Sequence, residues 1–392
     1  MAQQQPVNVP AVNAAARAAI LGQSIEMVQQ IFSTTIANPG STNNVINIQP
    51  RNVGMIKRFI VEITGTIQNN GAATPANDAT PTQFGLGNVL SQVVFNDLNN
   101  NVRINTSGWH LNFVNSAKRM RPYGDALTGD ITGAINYGSN WNVISTPATI
   151  VGGGGTGDFS MFYDVPLSYT DDDLRGAIYA NVVNATMNLQ LTINAAPVAA
   201  VANDYTSAVY KGTAATGVFT TVTVKVYQVY LDQLPVGKNG PILPFLDLST
   251  VYELKNTTFT GIVVNQDFPM PYSNFREFLS TFMVFDNGVG SGLGVGADIA
   301  AIKLQSANFT DIFNIDPTLA ALMGGRNAIG DDWPRGTYYF NHRRKPINTI
   351  QYGNMQLVLN ASTVNANAAV LVGYEDFAYV NTVTGAQSLA GS

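Results

Sequence analysis

The sequence predicts an all-β fold: two similar eight-stranded antiparallel sandwiches in tandem, with a helix only at the N-terminus and short helices in loops. Three observations predict it. Stretches of period-two alternation between apolar and polar residues recur along most of the chain. The order of these stretches in the second half repeats that in the first. A proline- and glycine-rich connector lies between the halves.

Residues 11–36 form the one long helical pattern. Leu21, Ile25, Val28, Phe32 and Ile36 fall on one face, with Gln23, Glu26 and Gln30 opposite. Asn38-Pro39-Gly40 ends it. Because it precedes the first strand, it is expected to serve as an arm, or else to dock on its own domain. Phe59, Val61 and Ile63 then alternate with Arg58, Glu62 and Thr64, as in a half-buried strand. A second apolar run covers 89–96. Ser107 has the character of an N-cap for a short helix with Trp109, Leu111 and Phe113. Residues 144–167 predict a strand broken by Gly152 to Gly155, and Asp171 to Asp173 predict the cap of a helix reaching about Ala180. Met187, Leu189, Leu191 and Ile193 alternate cleanly, as do Val222, Val224 and Val226. Residues 194–219 are expected to be a long loop.

The connector holds Pro235, Gly237, Gly240, Pro241 and Pro244, flanked by Leu234, Ile242, Leu243, Phe245 and Leu246. Proline fixes φ and restricts the preceding residue, so the expectation is a stiff, packed joint rather than a flexible tether. Beyond it, 279–285 answers 89–95. Asp316 and Pro317 start a helix that Gly324 and Gly325 are expected to stop. Residues 338–340 answer 161–163, 354–360 answer 186–192, and 369–374 answer 223–228. The division is therefore 1–45 N-terminal helical arm, 46–234 first sandwich, 235–246 linker, 247–380 second sandwich and 381–392 tail. Among antiparallel sandwiches the jelly roll fits best, so the fold class is a double jelly roll.

The 392 residues carry a formal net charge of −5 and only 11% charged residues, beside 36 glycines and many asparagines. Ordinary soluble domains are about 25% charged. An amide-rich, weakly charged surface suits a protein packed against copies of itself. No basic face is evident, so specific nucleic-acid binding is not expected. There is no cysteine, which excludes disulfides and thiolate chemistry. The start lacks a basic secretory leader, and no apolar run is long enough to cross a membrane as a helix.

Catalytic, cofactor and metal sites are not expected. His110 and His342 are the only histidines and show no ligand spacing. His110, beside Trp109, reads as a packed core histidine. The glycine run at 152–155 lacks the lysine of a phosphate loop. Asp171 to Asp173 reads as a helix cap rather than a calcium site or a glycosidase pair. His342-Arg343-Arg344-Lys345 reads equally as a contact for phosphates or carboxylates and as a solvated loop. Trp141 and Trp333 are the residues a carbohydrate-binding or adhesin-like sandwich would present, the alternative function.

The run Thr106-Ser-Gly-Trp-His-Leu-Asn-Phe-Val-Asn-Ser-Ala-Lys118 resembles part of the major capsid protein of tectiviruses, the membrane-containing icosahedral bacteriophages. So do residues 230–256, around Asp-Gln-Leu-Pro-Val-Gly-Lys-Asn-Gly, and 351–377, with Gln-Tyr-Gly-Asn and Val-Gly-Tyr-Glu. The resemblance implies a structural coat protein of the virion, made in the host bacterial cytoplasm. It implies a double jelly roll standing upright in the shell and a homotrimer of pseudo-hexagonal outline. Such trimers would tile an icosahedral shell around an internal membrane and double-stranded DNA, with vertex and cementing proteins as partners. It assigns the 11–36 helix and the tail to contacts with the membrane and neighbouring trimers.

Overall fold

The computed structural model describes residues 9–39, 44–82, 84–118, 143–182, 185–200, 208–238, 240–288, 294, 297–306, 311–327, 336–349 and 353–379. After α1 (Val9–Gln23), the first half runs β1 (Ile25–Ala37), β2 (Asn44–Ile48), β3 (Met55–Asn69), β4 (Thr80–Pro81), β5 (Leu90–Asn96), β6 (Val102–Thr106), α2 (Gly108–Lys118), β7 (Val143–Ser145), β8 (Gly155–Pro166), β9 (Ile178–Tyr179), β10 (Asn188–Ile193), β11 (Val198–Ala199), β12 (Tyr210–Lys211) and β13 (Gly217–Asp232). A small hairpin, β14 (Val236–Gly237) with β15 (Gly240–Pro241), and the one-turn helix α3 (Phe245–Leu248) lead across. The second half runs β16 (Thr250–Thr260), β17 (Asp267–Pro271), β18 (Arg276–Asp286), β19 (Ile299–Ser306), β20 (Asp311–Ile315), α4 (Pro317–Asn327), β21 (Thr337–Asn341), β22 (Ile347–Asn348), β23 (Met355–Ala361) and β24 (Ala369–Tyr379).

Eight strands of each half make one jelly roll. In the first, β1-β13-β3-β8 faces β2-β10-β5-β6; in the second, β16-β24-β18-β21 faces β17-β23-β19-β20. Numbered one to eight along the chain, both halves give the order 1-8-3-6 against 2-7-4-5. In each, a helix follows the fifth strand. The expected double jelly roll is therefore present, but 279–285 does not answer 89–95: it lies in β18, the third strand of its roll and the counterpart of β3, whereas 89–95 belongs to β5, the fourth. Period-two patterning explains it: Phe59, Val61, Ile63 and Ile67 of β3 are buried while Arg58, Ile60, Glu62 and Thr64 are partly exposed.

The two rolls are joined through a common sheet. β6 pairs in parallel with β16, Ile104 opposite Leu254 and Asn105 opposite Lys255. One core cluster therefore fills the first roll, takes in α2 and continues onto one face of the second roll's strands, with Tyr252, Leu279, Phe282, Tyr339 and Phe377. The other face of those strands builds the second roll's own core around Met270, Met283, Phe285, Val370 and Val372.

Four further expectations change. Residues 11–36 are not one helix: α1 ends at Gln23, and Ile25, Val28, Phe32 and Ile36 lie on β1, paired with β13 from Ile25–Asp232 to Ala37–Thr221. The stretch is rich in β-branched and aromatic residues (Ile31, Phe32, Thr34, Thr35, Ile36), which favour extended chain. The first roll needs this strand as its opening member, and that tertiary demand overrides a chance 3.6-residue spacing. Asp171 to Asp173 cap no helix; bends lead from there to β9. Residues 194–219 are not a bare loop, because β11 and β12 extend the sheet and bury Val198, Val209 and Tyr210. Finally, α4 continues through Gly324 and Gly325 to Asn327.

Candidate functional site

The most elaborate polar arrangement lies where the rolls meet. Glu375, on β24, is fully buried. Its carboxylate accepts hydrogen bonds from Tyr252 Oη at 2.8 Å, Ser280 Oγ at 2.5 Å and Arg343 Nη2 at 2.7 Å. Lys118, the last residue of α2, approaches it at 3.3 Å. Burial by itself raises the Glu375 pKa, but Arg343 and Lys118, with the two hydroxyls, outweigh it and hold the pKa at about 2. Burial lowers Lys118 to about 8 despite Glu375. Its ammonium also donates to the Tyr169 carbonyl at 2.9 Å and lies 4.1 Å from the Tyr252 ring centre. Arg343 further donates to the Ala117 carbonyl at 3.3 Å, closing the end of α2.

The apolar part of the joint is aromatic. His110 and Phe113 of α2 lie 5.5 and 6.0 Å from Phe282, ring centre to ring centre, and Phe282 stacks on Tyr339 at 4.5 Å. His110 rests on Gly373, where an added Cβ would come within 2.2 Å of the imidazole. Its Nδ1 is 2.6 Å from Thr106 Oγ1. Burial pushes its pKa down to about 3.

The candidate residues named from sequence fall at several places. Leu21 packs against the small cluster of Ile20, Met55, Leu174, Ala177 and Leu231. Phe32 and Ile36 pack on the first roll's core, whereas Ile25 and Val28 are exposed. The N-terminal helix docks: Asn13 donates to Asp247 at 2.9 Å and accepts from the Leu246 amide at 2.9 Å, while Arg17 reaches Asp247 at 3.2 Å. Pro235, Gly237, Gly240 and Pro241 belong to the hairpin and its approach, and Pro244 precedes α3. Val236 and Phe245 are exposed, while Leu234 and Leu243 pack inward.

The acidic and basic runs serve internal pairing. Asp171 binds Arg58 at 2.9 Å and Lys57 at 3.5 Å, and Asp173 binds Arg175 at 2.6 Å. Among the described residues no group of three or more acidic, histidine or cysteine side chains is placed to hold a metal ion. A cleft of about 130 Å³ between Lys57, Arg58, Lys118, Asp164 and Asp171 has each cation matched to a carboxylate. Within the basic run, Arg343 is committed to Glu375 and burial lowers His342 to about 4, while Arg344 and Lys345 are exposed. Trp141, Trp333 and the tail 381–392 lie outside the described residues.

Sequence reading did not single out Lys118, Tyr252, Arg343 or Glu375 as a unit. A signal was present: Lys118, Tyr252 and Glu375 each lie in one of the three runs that carry the capsid resemblance.

Comparison with known proteins agrees. Residues 3–234 match the model of the P3 major capsid protein N-terminal region, and 249–391 match its C-terminal counterpart. Major capsid protein P3 of Enterobacteria phage PRD1 is 42% identical over 370 residues, 94% of this chain and 91% of that protein. The same fold recurs in the major capsid protein of Sulfolobus turreted icosahedral virus, with TM-score 0.60, 13% identity and coverage of 91% and 97% of the two chains. It recurs in the PBCV-1 virus capsid, with TM-score 0.51, 13% identity and coverage of 90% and 94%. Two rolls of one design and these relatives lead to one identification: the chain belongs to the P3 major capsid protein family, a structural coat protein of a PRD1-like phage virion and not an enzyme.

Proposed function

We propose that the protein forms homotrimers of pseudo-hexagonal outline that tile an icosahedral shell around an internal membrane and double-stranded DNA. The observation that carries this reading is the repeated strand order, 1-8-3-6 against 2-7-4-5, in two rolls joined through one sheet. Three such chains offer six similar rolls, so a closed threefold ring acquires nearly sixfold edges from a single gene product. The low charge of the chain, 11% of residues, removes like-charge repulsion between adjacent walls.

On this reading the division of the chain is 1–45, 46–234, 235–246, 247–380 and 381–392. β1, although within 1–45, belongs structurally to the first roll. Ile25 and Val28, exposed beside docked α1, are then available to neighbouring trimers or the inner membrane, and vertex and cementing proteins are the further partners. The test is the solution mass of the purified protein by light scattering. Three copies of 41.8 kDa make about 125 kDa, and that mass should persist on dilution as expected of a closed cyclic oligomer. A 42 kDa monomer that never assembles would overturn the trimer reading.

A further inference from the structure

A single irregularity in β3 gathers positive charge into one cleft. β3 pairs with β13 at Ile56–Tyr230 and again at Arg58–Val229, so Lys57 is the extra residue of a β-bulge. Neighbouring residues of a regular strand point to opposite faces, and a bulge re-aims a side chain. Lys57 and Arg58 here line the same cleft of about 130 Å³, and Lys118 joins them from the end of α2. Such a volume holds several waters.

The carboxylates that balance these cations differ in how firmly they are placed. Glu375 is fixed at the joint, and Asp164, with a side chain 14% exposed, stands on β8. Asp171 instead rides on a surface turn, where the Thr170 amide donates to the Asp173 carbonyl at 3.4 Å. Its side chain is 60% exposed. Its Oδ1 nevertheless lies 2.9 Å from Arg58 Nη1 and 3.5 Å from Lys57 Nζ. A solvent-facing carboxylate thus bridges a guanidinium and an ammonium whose side chain is only 3% exposed. Arg58 Nε is buried with no hydrogen-bond partner. An exposed ion pair contributes little, whereas a buried donor left unpaired is costly.

We propose that the cleft binds a phosphate group, free or on a lipid headgroup, which displaces Asp171 from between Lys57 and Arg58. With Asp171 withdrawn, Lys57, Arg58, Lys118 and Arg343 stand against Glu26, Asp164 and Glu375, four cations against three carboxylates. The vacated guanidinium turns its Nε edge to the phosphate, a two-donor grip that a carboxylate held at Nη1 does not make. Lys57 supplies the second cation, and Lys118, held by Glu375 and the Tyr169 carbonyl, adds its charge to the wall. The cleft lies at the α1 end of the first roll, since Lys57 binds Glu26 at 2.7 Å and Asp173 approaches Arg17 at 3.8 Å. The phosphate site stands apart from the trimer reading; only a lipid source depends on that end facing the membrane.

Titration calorimetry of the full-length protein with inorganic phosphate, at neutral pH and constant ionic strength, tests it. The wild type is expected to bind one phosphate per chain. Arg58→Gln should weaken binding about tenfold or more, the worth of one hydrogen bond to a charged group. Asp171→Asn removes the competing carboxylate from an exposed position and should strengthen binding about threefold. Arg344→Gln removes an exposed cation outside the cleft and should leave the affinity unchanged. Flotation with phosphatidylglycerol vesicles separates the sources. Flotation that Arg58→Gln abolishes assigns the phosphate to a lipid headgroup, and phosphate binding without flotation assigns it to a free anion; each upholds the site. No saturable binding by wild type overturns the proposal and leaves the trimer standing. Weaker binding in Asp171→Asn overturns it too, and that variant reads the cleft even where Arg58→Gln fails to fold. An equal loss in Arg344→Gln would make net charge the cause, and overturns it as well.

Discussion

Lys118 and Glu375 meet at 3.3 Å across the boundary between the two rolls, one closing the helix of the first roll and the other buried in the last strand of the second. An uncompensated charge in such a place is costly, while a complete network is tolerated. The joint therefore depends on all its members being present together.

Replacing Glu375 with Gln should destabilise the fold by about 3–5 kcal/mol, because Arg343 and Lys118 then face each other without a counter-charge. Chemical denaturation of the single variants and of Lys118→Met/Glu375→Gln checks it. The double variant should cost less than the sum of the singles; strict additivity would mean that the two groups do not interact.

Acid should loosen the joint in a defined window. The folded Glu375 pKa is about 2, below the ordinary 4.5. Its contribution is complete above about pH 4.5 and is lost as pH falls toward 2. His110 acts at higher pH. Buried and neutral with a pKa near 3 against 6.5, it takes up its proton more readily in the unfolded chain, so stability falls as pH drops from 6.5 toward 3. Each such proton is worth about 1.4 kcal/mol per pH unit. His110→Phe should flatten the stability-versus-pH curve between pH 6 and 4 relative to wild type. An unchanged slope would show that His110 is not buried neutral.

Gly373→Ala should separate the rolls without touching either interior. The new methyl would lie within 2.2 Å of the His110 ring, and a ring held by Phe282 and Thr106 cannot yield cheaply. The expected loss is about 1–3 kcal/mol, in the range for overpacking. Recovery in Gly373→Ala/His110→Ala would locate the strain.

The period-two pattern made most strands legible, and hence the double jelly roll. Phe59 to Ile63, Met187 to Ile193 and Val222 to Val226 each alternate because one face is buried. The stretch 25–36 misled because Ile25, Val28, Phe32 and Ile36 satisfy a helical spacing. What makes it a strand is β13, distant in sequence and paired with it throughout. The joint was hidden for a similar reason. Lys118, Tyr252, Arg343 and Glu375 are far apart along the chain and share no spacing; the pairing of β16 with β24 and the parallel contact of β6 with β16 bring their elements together.

The same contact bears on the connector. If the prolines of 235–246 set the angle between the rolls, Pro241→Gly/Pro244→Gly should loosen them. The hairpin instead lies at the surface, with Val236 74% exposed, and the rolls are also held by β6–β16 and by α2. The double variant should therefore lose only the entropic advantage of fixed φ, about 0.4–1 kcal/mol per proline. Its trimer mass should be that of wild type. A loss comparable to that of Glu375→Gln, or failure to assemble, would make the connector rather than the shared sheet the element that fixes one roll against the other.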